Sequence, residues 1–190
     1  STTVTTPGGY TAARLEWVRL YPGPGNNMLL VFQTANASTL PSLESLTWNS
    51  GTSAFNTTTT GHDNNTLENA ASRNFDFVWE KLPASSASGW LLWGSQGGGG
   101  MRSRYFTSPA TWGAVTAAVR DRTLLVQAGA LSPSGLLFAG NYHSTSAATR
   151  NLESVITTGG GIAWPNAATV LWAGTTSVQQ GERVFVATRE

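Results

Sequence analysis

The chain has 190 residues, Lys81 as its single lysine, and a formal net charge of +1. Charged residues make up only 11%, against roughly 25% in an ordinary soluble domain, and 26 Thr, 19 Ser, 12 Asn and 21 Gly stand in their place. A coiled coil needs Lys and Glu, a disordered chain would lack 8 Trp and 7 Phe, and a polyanion binder carries a basic face, so all three are excluded.

Residues 1–10 read as a linker-like opening segment, carried by the Ser, Thr, Pro and Gly of Thr2 to Gly9, and residues 11–190 as a single β domain. A start at Ser1 without Met reads as a processed or excised domain. Arg14 to Tyr21 predicts a strand, Pro22 to Asn27 a loop, and Met28 to Phe32 a strand that is apolar on both faces. From Thr34 to Arg73 the signal weakens. Leu40, Leu43, Leu46 and Trp48 are scattered among Ser, Thr and Pro, and the Thr57 to Asn65 stretch is almost wholly polar. A mobile loop or a functional surface excursion is expected there.

Alternation returns at Phe75, Phe77 and Trp79, which point one way while Asn74, Asp76, Val78 and Glu80 point the other. Trp90 to Trp93 and Met101 to Phe106 predict further strands on either side of the Gly97 to Gly100 run. Ser108 can cap a short helix that Pro109 opens, with Trp112, Val115 and Val119 on one face. Strands are expected again over Thr123 to Ala128, Gly135 to Gly140, Leu152 to Thr157, Thr169 to Ala173 and Arg183 to Thr188, with a β-turn at Ser132 to Gly135. The fold class is therefore all-β: a single-domain antiparallel sandwich or Greek-key barrel of eight to ten short strands, with at most one short helix.

The chemistry is sparse. With no cysteine there are no disulfides and no thiolate metal ligands. His62 and His143 stand in neither an HxxxH nor an HxH pair, so no metal is expected. The Gly97 to Gly100 run lacks the Lys and the helix of a P-loop, and no cofactor is expected. His62, Asp76 or Asp121, and Ser95 keep the order of a trypsin-like triad, but Gly94 stands where that pattern has Asp. Family 11 xylanases are similar in length and composition. Their paired catalytic glutamates are flanked by Tyr, whereas Glu16, Glu80 and Glu153 here are followed by Trp17, Lys81 and Ser154.

Two candidate binding clusters remain. Arg102, Arg104 and Tyr105 lie beside the glycine run and suit carboxylate or sugar recognition, arginine forks serving anions and an aromatic face serving apolar sugar surfaces. His62 and Asp63 lie on the polar excursion. A charge of +1 supplies no field to steer a nucleic acid. Met28 to Phe32 is far too short to cross a membrane, so no insertion is expected. The sequons at Asn36, Asn56 and Asn64 are at chance level in a chain of this composition.

A surface of Ser, Thr, Asn and Gly offers dense hydrogen bonding with little side-chain entropy to lose on contact, which suits a projecting recognition domain. Low net charge favours self-association, most simply a two-fold homodimer. The Thr2 to Gly9 segment, the Thr57 to Asn65 polar stretch, and the aromatic strands Phe75 to Trp79 and Trp90 to Trp93 resemble the projection domains of small non-enveloped RNA virus capsids. The likeness is greatest to the avian-type astrovirus spike, with the hepatitis E virus spike next. It is one of style over the whole chain, with no motif matched position by position. It implies a dimeric, non-catalytic β-barrel spike on the virion surface that attaches to a host receptor, a glycan above all, and carries the epitopes of neutralising antibodies. A microbial lectin or adhesin, or a β-sandwich glycoside hydrolase, is the alternative.

Overall fold

The computed structural model describes residues 15–34, 41–65, 67, 74–80, 87–95 and 100–116 with their side chains, and the backbone of strands at 123–128, 138–146, 149–156 and 169–175. The Thr2 to Gly9 segment, the Asn36 sequon, Gly97 to Gly99, the Ser132 to Gly135 turn and the Arg183 to Thr188 strand lie outside the described residues.

The fold is all-β and every strand pairing is antiparallel. The first sheet runs β1 (Leu15–Pro22), β2 (Met28–Thr34), β3 (Leu43–Asn49) and β4 (Ala54–Phe55), with β5 (Thr60–Asp63) also paired to β3. The second runs β6 (Phe75–Trp79), β7 (Ser88–Gly94), β8 (Met101–Thr107) and β9 (Thr111–Val115), and the third β10 (Thr123–Ala128), β11 (Phe138–Ser146), β12 (Thr149–Ile156) and β13 (Thr169–Thr175). No helix among the described residues is long and apolar enough to cross a membrane.

The first two sheets form a sandwich. Leu29 and Val31 of β2 and Leu43 of β3 face Phe75, Phe77, Leu91, Trp93 and Phe106 of the second sheet in one buried cluster. On the other side of β2, Phe32 joins Leu46, with Leu15, Leu30 and Phe55 packed around them. β2 is thus apolar on both faces because both faces are covered, as its sequence predicts. Phe75, Phe77 and Trp79 do point together, into the shared core. The backbone of β10 runs against β6 and β7.

Two expectations are corrected, and with them the strand count: thirteen strands stand among the described residues where eight to ten were expected. The stretch after Thr34 is no loop excursion over residues 41–65. It holds β3, β4 and β5, and Ser42, Glu44, Ser45, Thr47, His62 and Asp63 are buried there. Small polar side chains can enter a sheet interior when they find partners, and Ser45, Thr47, His62 and Asp63 do. Asn56 Nδ2 donates to Thr47 Oγ1 (2.7 Å) and the Thr34 hydroxyl donates to Pro41 O (2.9 Å). At the sequons, Asn56 is therefore half-buried with its amide engaged, while Asn64 is exposed.

The predicted helix after Ser108 is also absent. Residues 108–110 turn, with a cis Ser108–Pro109 bond, and Thr111–Val115 returns as β9 along β8. Thr111, Trp112 and Val115 are strand formers, and pairing Phe106 with Trp112 buries an aromatic contact that a lone short helix could not match.

Candidate functional site

The second sheet presents two faces, and the parity of β8 distributes the candidate residues between them. Arg102, Arg104 and Phe106 share the face that carries Trp93 and Trp112, through the pairs Trp93–Arg102 and Phe106–Trp112. Tyr105 projects from the opposite face. Its ring lies 4.9 Å from that of Trp90 and its hydroxyl donates to Glu80 Oε2 (3.2 Å), which also accepts from Ser88. Burial and the Glu80 charge raise the Tyr105 phenol above its ordinary value. Tyr105 is therefore no part of the arginine cluster, and strand parity alone excludes it.

His62 and Asp63 reach Arg102 and Arg104 from the edge strand β5. In a regular strand, neighbours point to opposite faces, yet both of these side chains meet the second sheet. The register between β3 and β5 slips here: Leu43 pairs with Asp63 but Glu44 with Gly61. A bulge of this kind inserts one residue and re-aims the side chains around it. It brings the His62 ring to 4.3 Å from Trp112 and 6.2 Å from Trp93.

The hydrogen bonds around His62 fix its tautomer. Arg104 Nη1 lies 3.2 Å from His62 Nδ1, and a guanidinium can only donate, so Nδ1 is the bare acceptor nitrogen. The proton then sits on Nε2, which donates to Ser45 Oγ at 2.9 Å. Burial first, and the Arg104 charge second, hold the His62 imidazole down at about 3. Protonation would set two donors face to face in a dry site.

Asp63 is fully engaged as an acceptor. Trp93 Nε1 donates to Oδ2 (2.7 Å), Asn65 N and Nδ2 donate to Oδ1 (2.9 and 3.1 Å), and Arg102 Nη1 stands 3.8 Å from Oδ2. The Asp63 side chain is 1% exposed and that of Arg102 23%. Arg104 is held differently, by oxygen atoms of the backbone. Its Nε donates to Gly113 O (2.7 Å) and its Nη1 to Gly61 O (3.1 Å), while the guanidinium stands 5.7 Å from the Trp112 ring centroid. Partial burial lowers its pKa from the ordinary arginine value.

The structure therefore joins His62, Asp63, Arg102 and Arg104 into one polar clasp between β5 and the second sheet. Its partners Ser45, Trp93 and Trp112 were not singled out in the sequence. Trp112 belongs to the predicted helix face in the sequence, and its place in β9 beside Phe106 is what brings it to His62. No group of three or more His, Cys, Asp or Glu able to hold a metal occurs among the described residues. Compared with family models, curated proteins and solved structures, the chain matches none.

The locked histidine has a consequence for acid stability. The folded state keeps His62 neutral down to about 3, whereas an unfolded chain protonates it below about 6.5. Between those values the unfolded state binds the extra proton, so His62 lowers stability as pH falls, by up to about 1.4 kcal/mol per unit, and adds no slope above 6.5. Urea midpoints from pH 7 to pH 4 should fall less steeply in His62→Gln than in the unaltered chain. Equal slopes would contradict the assignment.

Proposed function

We propose that this chain is a non-catalytic recognition domain: the projection of a viral capsid that attaches to a host-surface glycan through an anionic group and presents the surface that antibodies meet. The observation that carries it is the state of Arg104. Its guanidinium is anchored on one side by Gly61 O, Gly113 O and His62 Nδ1, stays part-exposed, and lies beside Trp112. A planar fork held in place beside an indole suits a carboxylate or sulfate borne on a sugar, because little side-chain entropy remains to be lost on binding.

The non-catalytic half of the reading rests on how His62 and Asp63 are occupied. Both imidazole nitrogens are bonded, and the carboxylate accepts from Trp93 and Asn65. General acid–base work needs a group that can take up and release a proton within reach of solvent or substrate. His62 is 6% and Asp63 4% exposed, and each already serves the junction between sheets.

A panel of immobilised glycans tests the proposal. The chain should retain carboxylated or sulfated glycans over their neutral parents, and its attachment to cells should be blocked by the same soluble sugars. Arg104→Lys keeps the charge but loses the fork, so binding should drop about ten-fold or more, the cost of one charge-assisted hydrogen bond. Equal binding of neutral and acidic glycans, unchanged binding by Arg104→Lys, or turnover of any polysaccharide would overturn it.

A further inference from the structure

Strand β1 forms an outer edge of the first sheet, and among the described residues no strand pairs its far side. Residues Glu16 to Leu20 are all exposed, with Trp17 at 41%, Val18 at 53% and Leu20 at 48%. Edge strands of monomers are usually blunted by lysine, proline or inward charge along their length. Here the edge carries no lysine, exposes Trp17, Val18 and Leu20 around the single Arg19, and meets proline only at its end, at Pro22.

The hairpin fixes which backbone groups face outward. Gly23 N donates to Asn27 O (2.8 Å), so Gly23 and Asn27 form a hydrogen-bonded pair. The alternation of an antiparallel ladder then makes Tyr21–Leu29 and Arg19–Val31 hydrogen-bonded pairs as well. The N–H and C=O groups of Val18 and Leu20 consequently point away from β2, toward the open edge. Pro22 occupies another outward position, where its missing N–H costs the ladder nothing.

We propose that this edge pairs antiparallel with β1 of a second copy, about a two-fold axis that passes beside Val18. A two-fold perpendicular to a sheet requires one residue to face its own copy. Centring on Arg19 would set two guanidiniums opposite each other, and centring on Leu20 would set Val18 against the donorless Pro22. Centring on Val18 pairs valine with valine and puts Arg19 of each copy opposite Trp17 of the other. Arg19 already lies on that face, 5.6 Å from the Tyr21 ring, so the two copies exchange a cation–π contact in each direction. Two first sheets thereby become one continuous sheet. The surface lies on β1 and stands independently of the recognition reading on β8 and β9.

Sedimentation velocity and a cysteine pair test it. The unaltered chain should sediment as a dimer at micromolar concentration. Val18→Pro removes an outward N–H that β2 does not use, so it should give a monomer that keeps its circular dichroism spectrum. Should that variant lose its spectrum, Val18→Lys sets two like charges on the axis and should weaken the dimer about ten-fold or more. Because the chain has no cysteine, Val18→Cys reports directly on register. Facing residues lie about 5.5 Å apart, within disulfide range, so it should oxidise to a covalent dimer far faster than Val115→Cys at another exposed site. A monomer at all concentrations, a dimer indifferent to both Val18 substitutions, binding of a foreign peptide in place of a second copy, or equal oxidation of the two cysteine variants would overturn it.

Discussion

Asp63→Ala should be among the most destabilising single substitutions in the described core, costing about 2–3 kcal/mol, the upper range for leaving a buried donor such as the Trp93 indole without its acceptor. Three separate groups depend on this carboxylate. The Trp93 indole, 0% exposed, would lose the acceptor 2.7 Å from its Nε1. Asn65 would lose the acceptor of its backbone and side-chain N–H groups, and Arg102 would lose the carboxylate 3.8 Å from its Nη1. The buried Trp93 indole has no water at hand to replace what is removed and carries an unmet desolvation penalty, whereas the exposed Asn65 and the part-exposed Arg102 can turn to solvent. Asp63→Asn keeps an oxygen for Trp93 but loses the charge and turns an NH2 toward the donors of the exposed Asn65, so about 1–2 kcal/mol is expected. Urea unfolding followed by tryptophan fluorescence separates the two. A loss under about 1 kcal/mol in Asp63→Ala would mean that the clasp does not hold the sheets together.

Gly89→Ala should cost about 3 kcal/mol, the upper range for overpacking a closed core. Gly89 sits in β7 opposite Trp79 on one side and Phe106 on the other. A Cβ there would overlap the Phe77 ring and the Val78 carbonyl oxygen. The ring is walled in by Tyr21, Trp79 and Phe106, at centroid distances of 5.6, 5.0 and 6.2 Å, and the carbonyl belongs to the ladder itself. Neither can step aside without parting β6 from β7. Gly113 supplies the control. A Cβ at that position meets only Tyr105 atoms at 3.7 Å, an ordinary contact, in a strand where glycine has no structural task. Gly113→Ala should leave stability unchanged or raise it by a few tenths of a kcal/mol. Equal thermal midpoints for the two variants would contradict the packing described for the aromatic core.

The parts of the fold legible in the sequence are those where period and chemistry agree. Phe75, Phe77 and Trp79 alternate, and their partners across the core are large enough to demand a sheet. Met28 to Phe32 is apolar throughout and is covered on both sides. β3 and β5 were missed because their inward positions are Ser45, Thr47 and His62, which look like solvent-facing residues until their partners are known. Each is acceptable inside only through a bond to a distant residue, and no local pattern reveals such a bond. β9 was missed for another reason. Ser108 and Pro109 carry the chemistry of a helix start, but the same pair also makes a turn, and pairing with Phe106 decided between them.

The site divides in the same way. Arg102 and Arg104, two apart in one strand, had to share a face, and Tyr105 had to leave it; that much follows from parity. His62 and Asp63 are expected on a surface excursion and are buried. What placed them inside is the bulge between β3 and β5, for which Gly61 is a local sign that only a strand reading of Thr60 to Asp63 would make visible. Once it is known, the roles separate. His62 and Asp63 hold the sheets, and Arg104 is the part-exposed group that the same junction fixes in place.

That division is the centre of the functional reading, and the Arg104 side chain can report on it directly. In a spectrum that resolves arginine Nε–H groups, Arg104 should give a slowly exchanging signal, because its Nε donates to Gly113 O at 2.7 Å. Titration with a sialylated trisaccharide should shift that signal saturably, while the neutral disaccharide core of the same sugar should leave it in place. A signal unmoved by the acidic sugar, or moved equally by both, would contradict an anion-recognising role for Arg104 and with it the proposed mode of attachment.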